Sequence, residues 1–251
     1  MINYLKEKFF EFIFTNKKYV KDSYGKNIFS VRNFGGATAI RAEKFYTHEP
    51  DTVKWINGFK KNSLFLDIGA NIGIYSLYAA YKNCNVLAIE PHALNYAVIN
   101  LNILDNKFQK KITAFPISAN NKRKASYLYY SKNLKFGGAH TTFGRKISDD
   151  GNKFQSKFKS GSYAITTDEI LKEMNLSPTH IKIDVDGNEL NVIQGMKKTL
   201  LSKKLKSVLI EVNPKFKEHQ KCIKILNKIF LRSEKANYNK GVDVYNLIFS
   251  K

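Results

Sequence analysis

The chain has 251 residues, 43% of them hydrophobic, which is enough for one large domain with a real core. It carries 42 lysines and arginines against 21 aspartates and glutamates. The resulting net charge of +21 attracts polyanions such as nucleic acid, anionic lipid or acidic glycan. No run of 18 uncharged apolar residues occurs, so the sequence predicts no membrane-spanning helix.

Two features predict a cytoplasmic location. Charged residues interrupt the apolar N-terminal segment at positions 6–8 and no small-residue cleavage site follows, so we expect no secretory signal. Cys84 and Cys222 lie far apart and outside any Cys-x-x-Cys pattern. They are therefore expected to be buried, reduced thiols and not a disulfide or part of a zinc site.

Residues 2–14 predict a short amphipathic helix, because apolar side chains recur on one face at helical spacing. These side chains are Ile2, Leu5, Phe9, Phe12 and Ile13. Lysines at positions 6, 8, 17, 18 and 21 surround that face. Two interpretations follow: the helix packs on the domain, or it docks peripherally on an anionic membrane surface such as the inner face of the membrane.

The next segment, residues 27–46, predicts short strands joined by a turn at Gly35-Gly36. We therefore expect an N-terminal extension over residues 1–45, followed by one domain over residues 46–251.

From residue 51 onward, strand and helix patterns alternate along the chain. Asp51 is expected to cap a helix that ends near Asn57. The predicted strands are Leu64–Ile68, 86–90, 112–118, 181–185, Ser207–Val212 and 244–249. The predicted helices are Ile74–Tyr81, 94–104, one capped by Thr167 that ends near Met174, 189–200 and 216–230.

Between the third and fourth of these strands the pattern changes. Residues 125–130 alternate like an added edge strand, and residues 131–161 predict a long irregular loop, a kind of segment that is usually functional or disordered. The alternation elsewhere predicts an α/β fold with a doubly wound, mostly parallel sheet. In such sheets ligands bind beyond the carboxyl ends of the strands, near the switch in strand order.

The strongest functional pattern is a buried strand that runs through Asp67 into a glycine turn and then into a helix. Gly69 allows a sharp turn and a close approach to a ligand. The spacing is not Gly-x-Gly-x-x-Gly, and Asp67 would repel a pyrophosphate but suits an ammonium group. Glu90 ends the next strand, where a carboxylate can accept both hydroxyls of a ribose. Together these residues predict a site for an adenosyl ligand with an ammonium group.

The sequence also resembles the FkbM family of methyltransferases from about residue 44 to residue 213. The motifs that carry the resemblance are Tyr46-Thr-His-Glu49-Pro-Asp, Phe65-Leu-Asp67-Ile-Gly-Ala-Asn71-Ile-Gly73, Ala88-Ile-Glu90-Pro91, Ile165-Thr-Thr-Asp168-Glu-Ile-Leu171, Ile181-Lys-Ile-Asp184-Val-Asp186-Gly187-Asn-Glu189-Leu and Leu209-Ile-Glu211-Val. One departure is Asp186, where the family usually has Glu. The resemblance implies a class I methyltransferase (Rossmann-like) fold and S-adenosylmethionine as donor, with S-adenosylhomocysteine as product. The implied acceptor is a hydroxyl of a sugar or natural product.

The residues that we expect to contact the cofactor follow from the turn, the strand ends and the resemblance. They are Tyr46, Glu49, Asp67, Gly69, Ala70, Asn71, Gly73, Ile74, Tyr75, Glu90, Pro91, His92, Ser118 and Asp184.

The fourth parallel strand ends in three carboxylates within six residues. Asp184 is the first candidate for the base or for a group that positions the acceptor, although it could instead hold the strand-to-helix turn. His140, in a glycine-rich loop, is a second candidate base. Glu211 could contact the acceptor. A Mg²⁺ site made of Asp184, Glu211 and Asn213 lacks a tight ligand spacing, so we predict no metal site.

These inferences predict an S-adenosylmethionine-dependent O-methyltransferase that acts on a hydroxyl of a carbohydrate or glycan precursor, as in polysaccharide biosynthesis. The partners expected are that hydroxylated acceptor and an anionic membrane surface, with nucleic acid favoured less. The alternatives are an RNA ribose methyltransferase, suggested by the charge, and a non-catalytic S-adenosylmethionine-binding module.

Overall fold

The structure is a computed structural model that describes residues 4, 8, 15–148, 150–236 and 243–251. Most of the helix predicted over residues 2–14 lies outside these residues, so that helix and its docking to a membrane stay predictions. Within the described residues, no helix is both long and apolar enough to cross a membrane.

The described strands and helices largely follow the predicted alternation. The strands are β1 (Lys17–Lys21), β2 (Asn27–Arg32), β3 (Leu64–Ile68), β4 (Asn85–Ile89), β5 (Ile112–Phe115), β6 (Ser118–Ala119), β7 (Lys124–Tyr130), β8 (Thr141–Phe143), β9 (Phe158–Ile165), β10 (His180–Ile183), β11 (Ser207–Val212), β12 (Arg232–Ala236) and β13 (Tyr245–Ser250). The helices are α1 (Gly36–Glu43), α2 (Phe45–His48), α3 (Pro50–Asn57), α4 (Ile74–Tyr81), α5 (Ala93–Asp105), α6 (Thr167–Glu173), α7 (Glu189–Gln194), α8 (Lys197–Leu201) and α9 (Lys217–Asn227).

Seven strands form the main sheet in the order β12-β13-β11-β10-β3-β4-β5. The five strands from β11 to β5 are parallel, and β13 is antiparallel to both of its neighbours. The chain enters at β3, runs outward to β5, and returns to β10 on the other side of β3. The strand order therefore switches between β3 and β10, which confirms the predicted mostly parallel α/β fold.

The parallel strands are apolar on both faces because helices cover the sheet on both sides. Successive residues of β3 alternate between two cores. Phe65 packs in a cluster with Leu77 of α4 and Val98 of α5. Leu66 packs in a second cluster with Ile181 of β10 and Val208 of β11.

The N-terminal segment differs from the prediction after residue 32. Strands were expected over residues 27–46, but only β2 is a strand there and residues 36–48 form α1 and α2. Thr38, Ala42 and Phe45 are buried and recur every three or four residues, which is a helical period. The two glycines that were expected to join two strands have positive φ and lead into α1.

Two helix starts also differ from the prediction. Glu49, not Asp51, is the N-cap residue of α3, and Asp51 lies in the first turn. Thr166, not Thr167, caps α6, because its hydroxyl accepts from the N–H of Glu169 while the Glu169 carboxylate accepts from the N–H of Thr166.

A second sheet of four strands, β6-β9-β7-β8, is inserted between β5 and β10. The prediction of one strand over residues 112–118 was wrong, because the chain leaves the main sheet after β5 and β6 pairs with β9. Strand β7 is not an edge strand, since it pairs with β9 on one side and β8 on the other. The segment predicted as an irregular loop contains β8 and the start of β9.

The helix predicted over residues 189–200 is two helices, α7 and α8, separated at Gly195. A Cβ at Gly195 would overlap the carbonyl oxygen of Asn120. The carbonyl of Gly195 accepts from the N–H of Asp168 at 3.0 Å. The chain between α7 and α8 is thus hydrogen-bonded to the neighbouring helix α6.

Asparagines of α5 hold the hairpin of β1 and β2 against the domain. Asn102 is fully buried; its Oδ1 accepts from the N–H of Arg32 at 2.8 Å and its Nδ2 donates to the carbonyl of Ile72 at 2.8 Å. Asn106 accepts from the N–H of Ser30 and donates to the carbonyl of the same residue.

We predict that Asn102→Ala lowers the free energy of unfolding by about 2–4 kcal/mol, because it leaves two backbone groups without partners. Urea unfolding at neutral pH measures this loss. The matched control is Asn100→Ala, on the exposed side of the same helix, where the amide bonds only to its own helix. The control should change stability by less than about 0.5 kcal/mol. Equal losses of stability in both variants would contradict the role of Asn102 in holding the hairpin.

Candidate functional site

The site is built on a close contact between the ends of two neighbouring strands. Gly69, which follows β3, has φ of +83°, and a Cβ there would overlap the carbonyl oxygen of Asp184, which follows β10. The N–H of Asp184 donates to the carbonyl of Ile68 at 3.0 Å. Only glycine satisfies both the positive φ and the close approach. The glycine turn and the acidic loop therefore meet at the switch in strand order.

A cleft opens at this point, with about 820 Å³ of space that protein atoms do not fill, part of it open to solvent. Its floor is made by the ends of β3, β4 and β10, and the insert sheet and α1 contribute to its walls. The lining residues that were predicted are Glu49, Asp67, Gly69, Ala70, Asn71, Ile74, Tyr75, Glu90, Pro91, Ser118 and Asp184.

Asp67 lies at the bottom of the cleft with 1% of its surface exposed. One carboxylate oxygen, Oδ2, accepts from the hydroxyl of Ser76 at 2.6 Å. Burial raises the pKa of Asp67 to about 6, against the opposing charge of Lys182 and the hydrogen bond from Ser76. A buried carboxylate of this kind gains by pairing with a cation brought in by a ligand.

Glu90 lies at the end of β4 and is also buried. Its two oxygens accept from backbone N–H groups, Oε2 from Asn71 at 2.7 Å and Oε1 from His92 at 2.8 Å. Burial nevertheless raises the pKa of Glu90 to about 7, although these two N–H groups and the charge of Arg41 oppose the rise. Glu90 therefore holds the glycine turn in place and lines the cleft.

The glycine turn uses its own N–H groups. Those of Gly69 and Ala70 donate to the carbonyl of Ile89, and that of Gly73 donates to the carbonyl of Ala70. The N–H of Asn71 donates to Glu90 as above, and the N–H of Ile72 donates to the side chain of Asn71 at 2.9 Å. These N–H groups are therefore already used within the protein, and a ligand would contact the turn through van der Waals contacts and through side chains.

Sequence reasoning missed Lys182, which lies in β10 between two buried isoleucines and is 2% exposed. Its ammonium lies 2.6 Å from Oδ2 of Asp184 and 5.2 Å from the ring centroid of Tyr75. Burial disfavours this charge, but Asp184, Glu49 and Asp67 outweigh burial and raise the pKa of Lys182 above its usual range. A lysine inside an apolar strand was the signal that could have revealed it.

The insert sheet is joined to the cleft by main-chain groups of one loop. The carbonyl of Gly138 accepts from the side-chain amides of Asn71 at 2.8 Å and Asn95 at 2.9 Å. The N–H groups of His140 and Thr141 donate to Oδ2 of Asp186 at 2.6 and 3.1 Å. Asp186 thus joins the loop after β10 to the insert.

Glu189 has a structural role beside the loop that follows β10. It is 1% exposed, and its Oε1 accepts from the N–H groups of Val185 and Gly187. Its Oε2 lies 2.8 Å from Nε2 of His219. Since Nδ1 of His219 accepts from the N–H of Asn213, Nε2 carries the proton and donates to Glu189. This buried pair fixes the loop that carries Asp184.

Five predicted residues do not line the cleft. Tyr46 is exposed on α2, Gly73 takes a left-handed conformation at the start of α4, and His92 is a buried N-cap of α5. His140 lies in the loop between two lining residues, but the cleft is lined by Ala139 and Thr141. Glu211 is partly buried in β11.

Although Glu211 does not line the cleft, it interacts electrostatically with the acidic residues that follow β10. Burial raises the pKa of Glu211 well above its ordinary value, and the charges of Asp184 and Asp186 add to the rise. The side chain of Asn213 accepts from the N–H of Lys215 at 3.0 Å. No group of three or more His, Cys, Asp or Glu side chains in the described part of the chain is arranged to hold a metal ion.

Other lining residues were not among the predicted site residues, although Lys182, Val185 and Asn188 lie in the motif over residues 181–190. They include Arg41, Asn95, Leu128, Gly138, Thr141, Phe143, Lys182, Val185 and Asn188. Several belong to the insert, where β7 was predicted but β8 and β9 were missed, and Arg41 comes from a helix that was predicted as strand.

Solved structures identify the class of fold. The chain resembles the METTL16 MTase domain with a TM-score of 0.50 at 16% identity, covering 99% of this chain and 91% of that one. It resembles a putative rRNA-methylase from Clostridium thermocellum with a TM-score of 0.50 at 11% identity, covering 80% and 94%. At these identities the likeness establishes the fold alone, which is that of a class I methyltransferase.

The particular family follows from the sequence. The Methyltransferase FkbM domain matches residues 67–239, well over half of the chain, and the protein belongs to this family. It is 23% identical over 219 residues to the hexuronic acid methyltransferase AglP of Haloferax volcanii, covering 87% of this chain and 79% of that protein. The predicted resemblance is confirmed. Family and fold together make the protein an S-adenosylmethionine-dependent methyltransferase.

The buried acids predict how stability depends on pH. A Glu90 carboxyl that ionises near pH 7 when folded and near pH 4.5 when unfolded holds its proton more tightly in the folded state. The stability that the folded protein gains from protonated Glu90 is fully present below pH 4.5 and is lost as the pH rises through 7. The wild type should therefore lose about 3 kcal/mol more than Glu90→Gln between pH 4.5 and 7.5. Denaturant unfolding across this range measures the difference, with the exposed Glu43→Gln as control. If the free energy of unfolding changed with pH in the same way for wild type and Glu90→Gln, the prediction would be wrong.

Proposed function

We propose that this protein transfers a methyl group from S-adenosylmethionine to a hydroxyl oxygen of a carbohydrate or glycan precursor. The observation that carries the proposal is the meeting of two acidic elements in one cleft. Asp67 and Glu90 flank the glycine turn on one side, and Asp184 paired with Lys182 lies at the end of the adjacent strand.

The residues present fit S-adenosylmethionine. Gly69 lines the cleft, and its missing side chain lets the turn after β3 lie directly against the backbone of Asp184. Asp67 would hold the ammonium group of the methionine moiety, and Glu90 would accept from the ribose hydroxyls. Glu49, Ile74, Tyr75, Pro91 and Ser118 line the same space. When bound, the cofactor supplies an electrophilic methyl group.

We infer that Asp184 takes the proton of the acceptor hydroxyl. Its Oδ2 is held by Lys182 at 2.6 Å, and no hydrogen bond to Oδ1 exists within the described residues. The Asp184 side chain is 27% exposed, so an acceptor can reach it, whereas Lys182 is sealed beneath it. Because three carboxylates keep Lys182 protonated, the lysine fixes the orientation of Asp184 and does not act as the base.

The carbohydrate class is supported by the relative that is named for its action on a hexuronic acid. RNA remains the rival acceptor because of the charge of +21, but the RNA-related neighbour shares the fold only. The burial of Lys182 beside Asp184 favours catalysis over a non-catalytic binding module, since burying a charge is costly and a module without chemistry has no use for it.

The test is an assay of S-adenosylhomocysteine release with a panel of neutral and acidic sugars, nucleotide sugars and RNA. Release that depends on a sugar supports the proposal, and release with RNA alone overturns it. Because uronic acids carry hydroxyls and a carboxylate, the product is then treated with mild alkali. A methyl ether survives this treatment, whereas a methyl ester is hydrolysed and would overturn transfer to a hydroxyl.

We predict that Asp184→Asn keeps the affinity for S-adenosylhomocysteine within about threefold and lowers kcat by about 10²–10⁴, the range for loss of a general base. Calorimetry measures the affinity and single-turnover kinetics measures the chemical step.

His140→Ala is the matched comparison, because it removes the other candidate base while the backbone bond to Asp186 can persist. A large loss of kcat in His140→Ala alone would transfer the role of base to the loop and leave Asp184 structural.

A further inference from the structure

Arg41 is a charged residue of the cleft that the proposed chemistry leaves unused. It lies on α1 and lines the cleft, and its Nε is buried without a hydrogen-bond partner. Its guanidinium forms no hydrogen bond or ion pair with any of the described residues. By contrast, Arg32 pairs with Asp105 and Arg145 pairs with Glu218. Arg41 is half-buried, and a guanidinium that is partly shielded from water without an anion is unfavourable, so this part of the cleft is suited to receive one.

The other donors near Arg41 are already engaged. The five N–H groups from Gly69 to Gly73 are used within the protein, as described above. Lys182 is the other cation that lines the cleft in the described part of the chain, and it is held by Asp184. A carboxylate that enters the cleft therefore has Arg41 as its available charged partner.

S-adenosylmethionine brings such a carboxylate. Its methionine moiety ends in an ammonium and a carboxylate on the same carbon, so the site needs an anion and a cation side by side. Asp67 supplies the anion. We propose that Arg41 binds the carboxylate of the methionine moiety; this inference rests on the proposed donor but not on the identity of the acceptor. Paired hydrogen bonds between a guanidinium and a carboxylate suit this role.

Electrostatics place Arg41 beside the cofactor-binding residues. Burial raises the pKa of Tyr75 well above its ordinary value, with Glu49 adding to the rise, and the charge of Arg41 opposes it. The same charge opposes the rise of the Glu90 pKa. Both residues border the glycine turn. Arg41 also precedes the segment that matches the family, so the N-terminal part of the chain would complete the cofactor site.

The experiment compares two ligands by titration calorimetry. S-adenosylmethionine carries the carboxylate, and decarboxylated S-adenosylmethionine keeps the ammonium and sulfonium groups without it. The variants are Arg41→Met, which keeps the length of the side chain, and Arg41→Lys, which keeps the charge. Lys44→Met, exposed at the end of the same helix, controls for the loss of one positive charge. Thermal unfolding and circular dichroism check that each variant is folded.

We expect Arg41→Met to bind S-adenosylmethionine about 10- to 100-fold more weakly, while its affinity for the decarboxylated ligand stays within about threefold of wild type. Arg41→Lys should lie between the two, and Lys44→Met should match wild type. The preference of wild type for the carboxylated ligand should thus be lost in Arg41→Met.

Three outcomes would overturn the inference. Equal losses for both ligands would mean that Arg41 acts through Glu90 or through the fold. Unchanged binding of S-adenosylmethionine, with a raised KM for an acidic acceptor, would assign Arg41 to the acceptor. A wild type that binds neither ligand would refute the proposed donor itself, a result distinct from a selective failure of Arg41.

Discussion

The close approach of Gly69 to the carbonyl of Asp184 is the constraint on which the rest of the site depends. It brings the ends of β3 and β10 into van der Waals contact at the position where the strand order switches. The turn that would hold the cofactor and the loop that carries the candidate base then form one rigid unit. A side chain at residue 69 would force the two strand ends apart, and the distance between methyl donor and base would change with them.

Charge burial is the second organising feature. Asp67, Glu90 and Lys182 are all nearly inaccessible to solvent, and such groups are stable only when their charges are balanced. Lys182 balances the carboxylates around it, while burial raises the pKa values of Asp67 and Glu90 and so disfavours their charged forms. Around these two carboxylates the cleft therefore favours ligand groups that carry positive charge or donate hydrogen bonds from hydroxyls. This gives a physical basis for selecting S-adenosylmethionine over an anionic dinucleotide.

The sequence revealed the parts of this arrangement that depend on local patterns. The strand β3, its glycine turn and the acids at the strand ends were visible because apolar runs and glycine spacing are short-range signals. The insert sheet was missed because β6 pairs with β9 more than 40 residues away and β8 has only three residues. Arg41 was missed because its helix follows two glycines that resemble a hairpin turn. The burial of Lys182 could have been predicted, because a lysine inside an apolar strand is unusual. Its pairing with Asp184 could be seen only in the structure.

Because of how the insert is attached to the cleft, substitutions in its loop and substitutions in the floor of the cleft have different consequences. The loop over the cleft is held largely through one carbonyl and two N–H groups, which every residue except proline can provide. The hydroxyl of Thr142, which donates to the carbonyl of Asp186, and the ring of Phe136, which stacks on Phe34, add side-chain contacts. The other side chains of the loop contribute less to keeping it in place. Under the proposed function, exchanges on that loop would reshape the walls that face the acceptor while the floor under the cofactor stays intact. The architecture thus allows new acceptors to be acquired by variation of one segment, with the methyl-donor machinery inherited unchanged.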